Sequence, residues 1–375
     1  MQGFNSENER VKNKYFKELK NAKGKADSTI QNIRYSINLF EIFTNHQNFK
    51  TYNKDKGINF KEFLSEKTGK NYQKLSLPTK VNHLKNVKKF LIEISKYPGY
   101  KSKMSINDID HLNPSDKELR STQGIKYKDF PTSEQIKHVI SNLPSNTETE
   151  KRNIALIAFT YLSGMRDGAI ASLSLKHIDL QKELINQSAK EVKTKFGKNI
   201  TTFFFPVCEE IIVIFVDWVN FLYNEKQFSD SDPVFPRNKV DLDKDNLFTS
   251  TELEPVHWQS SSSIRKIFKK SFEQFNFKYY NPHSFRNTLV NLGEKICKTP
   301  EEFKAWSQNL GHNQVLTTFT SYGYVNCHRQ GEIIKGFKNN KESINLDSLK
   351  KELKQHIKED KFEMFWDFFE LVKNN

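Results

Sequence analysis

Apolar residues recur at the spacing of an α-helix through the first hundred residues. The two clearest stripes follow helix-start signals at Asp27-Ser28-Thr29 and at Pro78-Thr79. Their members are Ile30, Ile33, Ile37 and Phe40 in the first, and Val81, Leu84, Val87, Leu91 and Ile94 in the second. The N-terminal region is therefore predicted to be helical.

The second of these helices carries a basic face opposite its apolar stripe. That face consists of Lys80, Lys85, Lys88 and Lys89. Such a face is typical both of a solvated surface and of one that faces DNA. The sequence leaves the two alternatives open.

The helical pattern stops between Tyr97 and Pro131, where Pro98-Gly99, Asn113-Pro114 and Gly124 interrupt a polar stretch. A new stripe of Ile136, Val139 and Ile140 follows Phe130-Pro131-Thr132. We predict a helical domain at 1–111, a linker at 112–130, a second domain at 131–335 and a helical tail at 336–375. An amphipathic helix over Leu349–Val372 is expected in the tail.

The most apolar run, Ile211–Tyr223, is too short to span a bilayer and contains Asp217. It is predicted to be a buried core helix. The N-terminus has no apolar signal core. Cys208, Cys297 and Cys327 are odd in number and far apart, which is not the pattern of a disulfide framework.

The net charge of the 375-residue chain is +14 and aromatic residues make up 13% of it. Aromatic content at this level favours a folded chain. The positive charge suits a polyanionic partner such as nucleic acid. A lysine-rich solvated surface is the alternative if charge is considered alone.

Four short segments carry candidate chemistry. In SGMRDG, Arg166 lies at a turn between apolar helices, where it can present a guanidinium to a cleft or form a structural ion pair. The segment 189–206 is predicted to be a β-hairpin whose tip, Phe196-Gly197-Lys198-Asn199, is flanked by basic residues. Its lysines are Lys193, Lys195 and Lys198.

The other two segments contain histidines. His283 and Arg286 lie three residues apart in NPHSFRN, at a predicted helix start at Pro282. His312 follows a glycine that is expected to end a helix, and Tyr322 comes ten residues later. Each segment by itself is more typical of surface or packing residues than of a site.

Taken in order, the segments resemble the tyrosine recombinases of the phage integrase family. The resemblance covers about residues 130–335 and implies a mainly α fold with a small β-sheet. It implies a helical N-terminal core-binding domain and a mixed α+β catalytic domain of the tyrosine-recombinase type. By position in the family's pattern, the catalytic residues are Arg166, Lys195, His283, Arg286, His312 and Tyr322.

Two of these assignments have alternatives. Tyr324 is the second candidate for the nucleophile, and Lys193 or Lys198 could replace Lys195. The chain also departs from the family at Ala169, three residues after Arg166, where an acidic residue is common. Asp167 faces another side of the helix, which leaves the support of Arg166 in doubt.

The resemblance implies a site-specific recombinase or integrase that cleaves and rejoins DNA through a 3′-phosphotyrosine intermediate. The arginines would stabilise charge on the phosphoryl oxygens, Tyr322 would attack, and His283 would accept its proton. His312 would donate a hydrogen bond to the same oxygens. Lys195 would protonate the departing 5′ oxygen.

No cofactor, metal or ATP is implied. The sequence has neither a G-x-x-x-x-G-K-[ST] phosphate loop nor a carboxylate cluster for two-metal catalysis, which weighs against an acidic-triad transposase. The expected partner is double-stranded DNA, bound by a homotetramer on paired sites, with room for an accessory directionality factor and no membrane. A cytoplasmic, nucleoid-associated protein of bacterial or phage origin is expected.

Two other functions remain. A type IB topoisomerase uses a similar residue set, but the separate helical domain and the position of Tyr322 after Gly-His favour a recombinase. A catalytically inactive DNA-binding relative would be expected to have lost some of the six residues.

Overall fold

The computed structural model describes residues 4–69, 72–123, 129–239, 241–242, 248–249, 252–312 and 331–332. In these residues α-helices dominate and the strands are short and antiparallel. The chain divides into two compact units, Met1–Lys126 and Tyr127–Asn375. The predicted fold class, mainly α with a small β-sheet, is confirmed.

The first unit is helical. Its α-helices are α1 (Ser6–Asn21), α2 (Asp27–Phe43), α3 (Lys54–Glu66), α4 (Leu77–Ile94), α5 (Ile106–Asp110) and α6 (Asp116–Gln123). Helices α2 and α4 are the two that the apolar stripes predict, and they pack against each other. Apart from Val81, the residues of both stripes belong to one core or pack against it, and in this core Phe40 contacts the rings of Phe49 and Phe60.

The basic face of α4 is divided between solvent and a local ion pair. Lys85 and Lys89 are exposed. The Lys88 ammonium lies 2.6 Å from a carboxylate oxygen of Asp110 and 2.7 Å from the Asn113 side-chain oxygen. Part of this face therefore joins α4 to the end of α5.

The predicted linker contains regular structure. Helix α6 lies inside 112–130, and Leu112 is fully buried in the core of the first unit. Asn113-Pro114 lies between the short helices α5 and α6. The predicted domain boundaries stay predictions.

The second unit mixes helices with short strands. Its helices are α7 (Ser133–Asn142), α8 (Glu148–Ser163), α9 (Asp167–Ile170), α10 (Glu209–Asn224), α11 (Ser262–Glu273), α12 (Phe285–Ile296) and α13 (Pro300–Asn309). Its strands are β1 (Ile178–Asp179), β2 (Leu184–Gln187), β3 (Ile200–Phe203), β4 (Arg237–Asn238), β5 (Asp241–Leu242), β6 (Phe248–Thr249) and β7 (Leu253–Glu254). The strands form one three-stranded sheet and two pairs, β4–β7 and β5–β6.

The core of the second unit forms around α8 and α10. The Phe159 ring lies 4.7 Å from the Phe215 ring and 5.3 Å from the Phe235 ring, measured between centroids. Helix α10 is the buried core helix predicted from the run Ile211–Tyr223. Among the described helices, none is both long and apolar enough to cross a membrane.

The basic hairpin differs from its prediction. The sheet order is β1-β2-β3, and β2 pairs with β3 in the register Gln187 opposite Ile200. The first strand thus ends before the predicted segment. The chain turns at Ser188, whose carbonyl accepts the N–H groups of Glu191 and Val192, and Val192 is buried. Lys195–Gly197 form a single 3₁₀ turn rather than a tight hairpin tip.

Several predictions lie outside the described residues. They concern Tyr322, Tyr324, Cys327 and the amphipathic helix Leu349–Val372.

Replacing Phe40 tests the core of the first unit. Phe40 is 1% exposed, whereas Ile42 on the same helix is 52% exposed. We expect Phe40→Ala to lower the free energy of unfolding by about 3–5 kcal/mol, because it leaves a cavity among aromatic rings. Ile42→Ala should change it by less than about 0.5 kcal/mol. Urea denaturation followed by circular dichroism measures both, and equal effects would contradict this account of the core.

Candidate active site

The Arg286 guanidinium lies at the centre of the site. Arg286 is in the first turn of α12 and is only 2% exposed. Its Nη1 donates to the carbonyl of Gly164 and its Nη2 to the carbonyl of Leu310. Nη2 also lies 2.9 Å from Nε2 of His312. The guanidinium is therefore held in one orientation by segments that are far apart in the sequence.

Gly164 is required where α8 ends. Its φ is 57°, in the left-handed region that glycine adopts readily. A Cβ there would lie 2.8 Å from Leu289 Cδ1 and 2.9 Å from Leu310 Cδ2. The close approach brings the Gly164 carbonyl to Arg286 on α12.

Arg166 follows this turn as the N-cap residue of α9. It is partly buried. Helix α9 has only four residues, shorter than the apolar helix that the sequence suggested. The Asp167 carboxylate accepts from Nε of Arg265 on α11 at 2.7 Å, so it is bound to an arginine other than Arg166. Ala169 is buried in the core.

His283 and Arg286 do not share a regular helix. Pro282–Ser284 form a 3₁₀ turn and α12 begins at Phe285. His283 is consequently exposed, while Arg286 is buried. In the 3₁₀ turn the Asn281 carbonyl accepts from the Ser284 N–H, three residues on, and also from the Ser284 hydroxyl.

His312 follows the predicted glycine turn. Helix α13 ends at Asn309, Gly311 has a φ of 71°, and His312 is 6% exposed. Because an arginine can only donate, the contact with Arg286 makes Nε2 of His312 the acceptor and leaves the proton on Nδ1. The ring is neutral in this arrangement.

The pKa of His312 is lowered by its surroundings. Burial is the main cause that lowers this pKa from 6.5 to about 3, and nearby positive charge adds to it. The contributing groups, largest first, are Arg286, Arg166, His283 and Lys195. Of the six residues assigned from the sequence, Arg286 contacts His312, and Arg166, His283 and Lys195 lie near enough to affect its pKa. The sixth, Tyr322, lies outside the described residues.

Two of the hairpin lysines act on different histidines. Lys195 is exposed and contributes to the positive potential at His312. The pKa of His257 is lowered mainly by burial, and Lys193 adds to this lowering. The backbone N–H of Lys193 donates to the Ser172 hydroxyl at 2.9 Å. The third candidate, Lys198, is partly buried.

Sequence reasoning missed two groups that bind Arg286 and one that binds Asp167, the neighbour of Arg166. The carbonyls of Gly164 and Leu310 are backbone groups, which no side-chain motif reveals. Arg265 is the third, and its signal was the basic run IRKIFKK after four serines, Ser260–Ser263. Its pairing with Asp167 depends on how α9 and α11 pack.

The model of the phage integrase family matches residues 130–327, slightly more than half of the chain. The chain belongs to the phage integrase family. It is a tyrosine recombinase, an enzyme that breaks and rejoins DNA.

Comparison with curated proteins finds other tyrosine recombinases. The chain is 24% identical over 318 residues to tyrosine recombinase XerC of Natranaerobius thermophilus, covering 84% of this chain and 94% of that protein. It is 22% identical over 194 residues to tyrosine recombinase XerC of Lactobacillus leichmannii, covering 52% and 57%.

Solved structures share the fold. One is a lambda integrase dimer bound to a COC′ core site, with a TM-score of 0.56, 12% identity and coverage of 84% of this chain and 95% of that one. Another is the Tn1549 transposon integrase in complex with circular intermediate DNA, with a TM-score of 0.54, 15% identity and coverage of 86% and 98%. At these identities the likeness is one of fold.

The lowered pKa of His312 gives a pH-dependent stability. The unfolded chain takes up a proton at His312 near pH 6.5, whereas the folded protein does so only near pH 3. In that window the unfolded state binds more protons, so the free energy of unfolding decreases as the pH falls. We expect the decrease to be shallower in His312→Gln than in the wild type.

Nitrogen NMR of histidine-labelled protein checks the cause directly. The His312 ring, assigned by its loss in His312→Gln, should remain neutral at pH 5. A His312 resonance that titrates near pH 6.5 would contradict the buried, cation-surrounded environment.

Proposed function

We propose that this chain is a site-specific DNA recombinase that cleaves and rejoins strands through a 3′-phosphotyrosine intermediate, without metal or ATP. The contact of Arg286 with His312, and the electrostatic influence of Arg166, Lys195 and His283 on the same ring, carry the proposal. Attack on a phosphodiester builds negative charge on the non-bridging oxygens, and preorganised cationic donors lower the energy of that state. A covalent intermediate conserves the bond energy, so that rejoining needs no nucleotide.

The two arginines would bind the phosphoryl oxygens. A guanidinium matches the oxygens of a phosphate with paired N–H donors. The carbonyls of Gly164 and Leu310 keep the Arg286 guanidinium in place before DNA arrives. Because this orientation is already set, little reorganisation is required as the charge develops.

The histidines would have distinct roles. His312 is neutral at neutral pH because burial and the surrounding cations lower its pKa, so it would donate a hydrogen bond through Nδ1–H. His283 is exposed on its 3₁₀ turn and would accept the proton that the nucleophile loses. Lys195 would protonate the departing 5′ oxygen, which otherwise leaves as a poor alkoxide.

The nucleophile proposed is Tyr322, with Tyr324 as the alternative. The spacing from His312 and the run TTFTSYG support Tyr322. A phenol has a reference pKa of about 10, and the cationic groups around His312 favour its ionised form during attack.

The proposed partner is double-stranded DNA, and the active assembly is a homotetramer on two paired sites, with an accessory directionality factor as an optional partner. The net charge of +14 supports a polyanionic partner. The lambda and Tn1549 integrases, which share the fold, were solved with DNA.

Replacing the nucleophile tests the covalent step. We expect Tyr322→Phe to abolish covalent capture of DNA and to leave DNA affinity unchanged, because only the attacking oxygen is removed. Tyr324→Phe is the matched control and should still form the adduct. The substrate is a nicked suicide duplex, selected from a random-sequence pool by its capture as an SDS-resistant adduct.

The result also separates the remaining alternatives. Peptide mapping of the adduct should find the phosphate on Tyr322. Capture that moves to Tyr324, or that persists in Tyr322→Phe, would overturn the assignment. A wild-type protein that binds DNA but never forms an adduct would be a catalytically inactive relative.

A sulphur-substituted substrate tests the general acid. We expect Lys195→Ala to slow cleavage of ordinary DNA by about a hundredfold to ten-thousandfold. With sulphur in place of the bridging 5′ oxygen, the leaving thiolate needs no proton, so Lys195→Ala should cleave this DNA at nearly the wild-type rate. Lys193→Ala, the control, should behave as wild type on both substrates. If the sulphur substrate fails to rescue Lys195→Ala, then another group is the acid.

A further inference from the structure

The side chain of Asn309 binds both backbone polar groups of one strand residue. The Phe203 N–H donates to Oδ1 of Asn309 at 2.7 Å, and Nδ2 of Asn309 donates to the Phe203 carbonyl at 2.9 Å. A primary amide carries the same acceptor and donor pair as a backbone peptide group. Asn309 therefore takes the place of a neighbouring strand at this position.

Phe203 lies in β3, at the edge of the three-stranded sheet. Successive residues of an antiparallel strand direct their backbone groups to opposite sides. The groups of Phe203 that Asn309 binds thus face away from β2. The edge of the hairpin is closed here by the last residue of α13.

Further contacts join the same two segments. The Thr202 hydroxyl donates to the Asn309 carbonyl at 3.1 Å, and the Gln187 amide donates to that hydroxyl at 3.0 Å. Thr202 and Gln187 are buried, so that water competes little for these bonds. A Cβ on Gly311 would lie 3.1 Å from Ile200 Cδ1, which shows how closely the glycine turn packs on β3.

These contacts join the two halves of the site. Lys195 lies in the connection that leads into β3, and β3 is bound to Asn309. The three residues after Asn309 are Leu310, whose carbonyl accepts from Arg286, then Gly311, then His312. The Asn309 contact thus joins the strand that follows the lysine to the segment that carries Leu310 and His312.

We propose that Asn309 is a positioning residue that holds the lysine-bearing hairpin against the Gly311–His312 turn, so that Lys195 reaches the leaving oxygen. The inference rests on the proposed function of Lys195 as the general acid. It assigns to Asn309 no contact with DNA. A misplacement of about 1 Å in a catalytic group is enough to cost about a hundredfold in rate.

The test compares Asn309→Ala on the two selected suicide duplexes, one with the ordinary 5′ oxygen and one with sulphur in its place. We expect cleavage of the oxygen substrate to slow by about tenfold to a hundredfold. Cleavage of the sulphur substrate should stay within about twofold of wild type, since it bypasses the acid. Gln308→Ala, an exposed neighbour on α13, is the control and should leave both rates unchanged.

A purely structural role for Asn309 predicts a different pattern. General disturbance of the site would slow both substrates equally, and that outcome would overturn the inference, as would an unchanged rate on the oxygen substrate. If Asn309→Ala does not fold, as judged by its melting curve, Thr202→Val leaves the Asn309 side chain intact and removes the hydroxyl bond to the Asn309 carbonyl, together with the bond that Gln187 donates to that hydroxyl. It should show the same selective loss, smaller in size, and equal slowing of both substrates would again reject the inference.

Failure of the proposed function gives a separate signature. If sulphur fails to rescue Lys195→Ala, the general-acid assignment is wrong whatever Asn309 does. If sulphur rescues Lys195→Ala but not Asn309→Ala, the proposed function stands and the positioning role of Asn309 is rejected.

Discussion

The buried guanidinium of Arg286 is the interaction on which the second unit depends. A cation that is 2% exposed is costly to bury unless its N–H groups are hydrogen-bonded. Here the partners are the carbonyls of Gly164 and Leu310 and the ring of His312. These come from the ends of two helices and the turn after one of them, so satisfying the charge requires all three segments to be in place.

This requirement explains several local features that are otherwise unrelated. Helix α8 must end in a left-handed glycine, because a side chain at Gly164 would collide with Leu289 and Leu310. Helix α13 must end near Leu310, because carbonyls in the last turn of a helix have no partner within the helix. The Leu310 carbonyl can therefore accept from Arg286. The same arrangement keeps His312 neutral, because burial and the adjacent cations lower its pKa. Stability and electrostatics thus have a common origin in one side chain.

Local patterns in the sequence predicted the helices well. The stripes that begin at Ile30, Val81 and Ile136 are buried faces of α2, α4 and α7, since helix periodicity and burial follow from the same geometry. The hairpin was predicted less accurately. Its first strand lies at Leu184–Gln187, and the Lys195 segment is a 3₁₀ turn, because the Ser188 turn and the buried Val192 intervene. Helix α6 was not predicted either, because 112–130 has no helical pattern of apolar residues and was interpreted as a linker.

By itself, the sequence determined the family, the helical character of both units and the residue types of the candidate site, because these follow from composition, spacing and order along the chain. Only the tertiary structure decided the partners. Asp167 binds Arg265, Arg286 binds two backbone carbonyls, and Asn309 binds the backbone of Phe203. In these contacts a side chain meets either a backbone group, which is the same in every residue, or an ion of a distant helix. Neither kind of partner can be recognised from the local sequence, because each contact is set by how the elements pack.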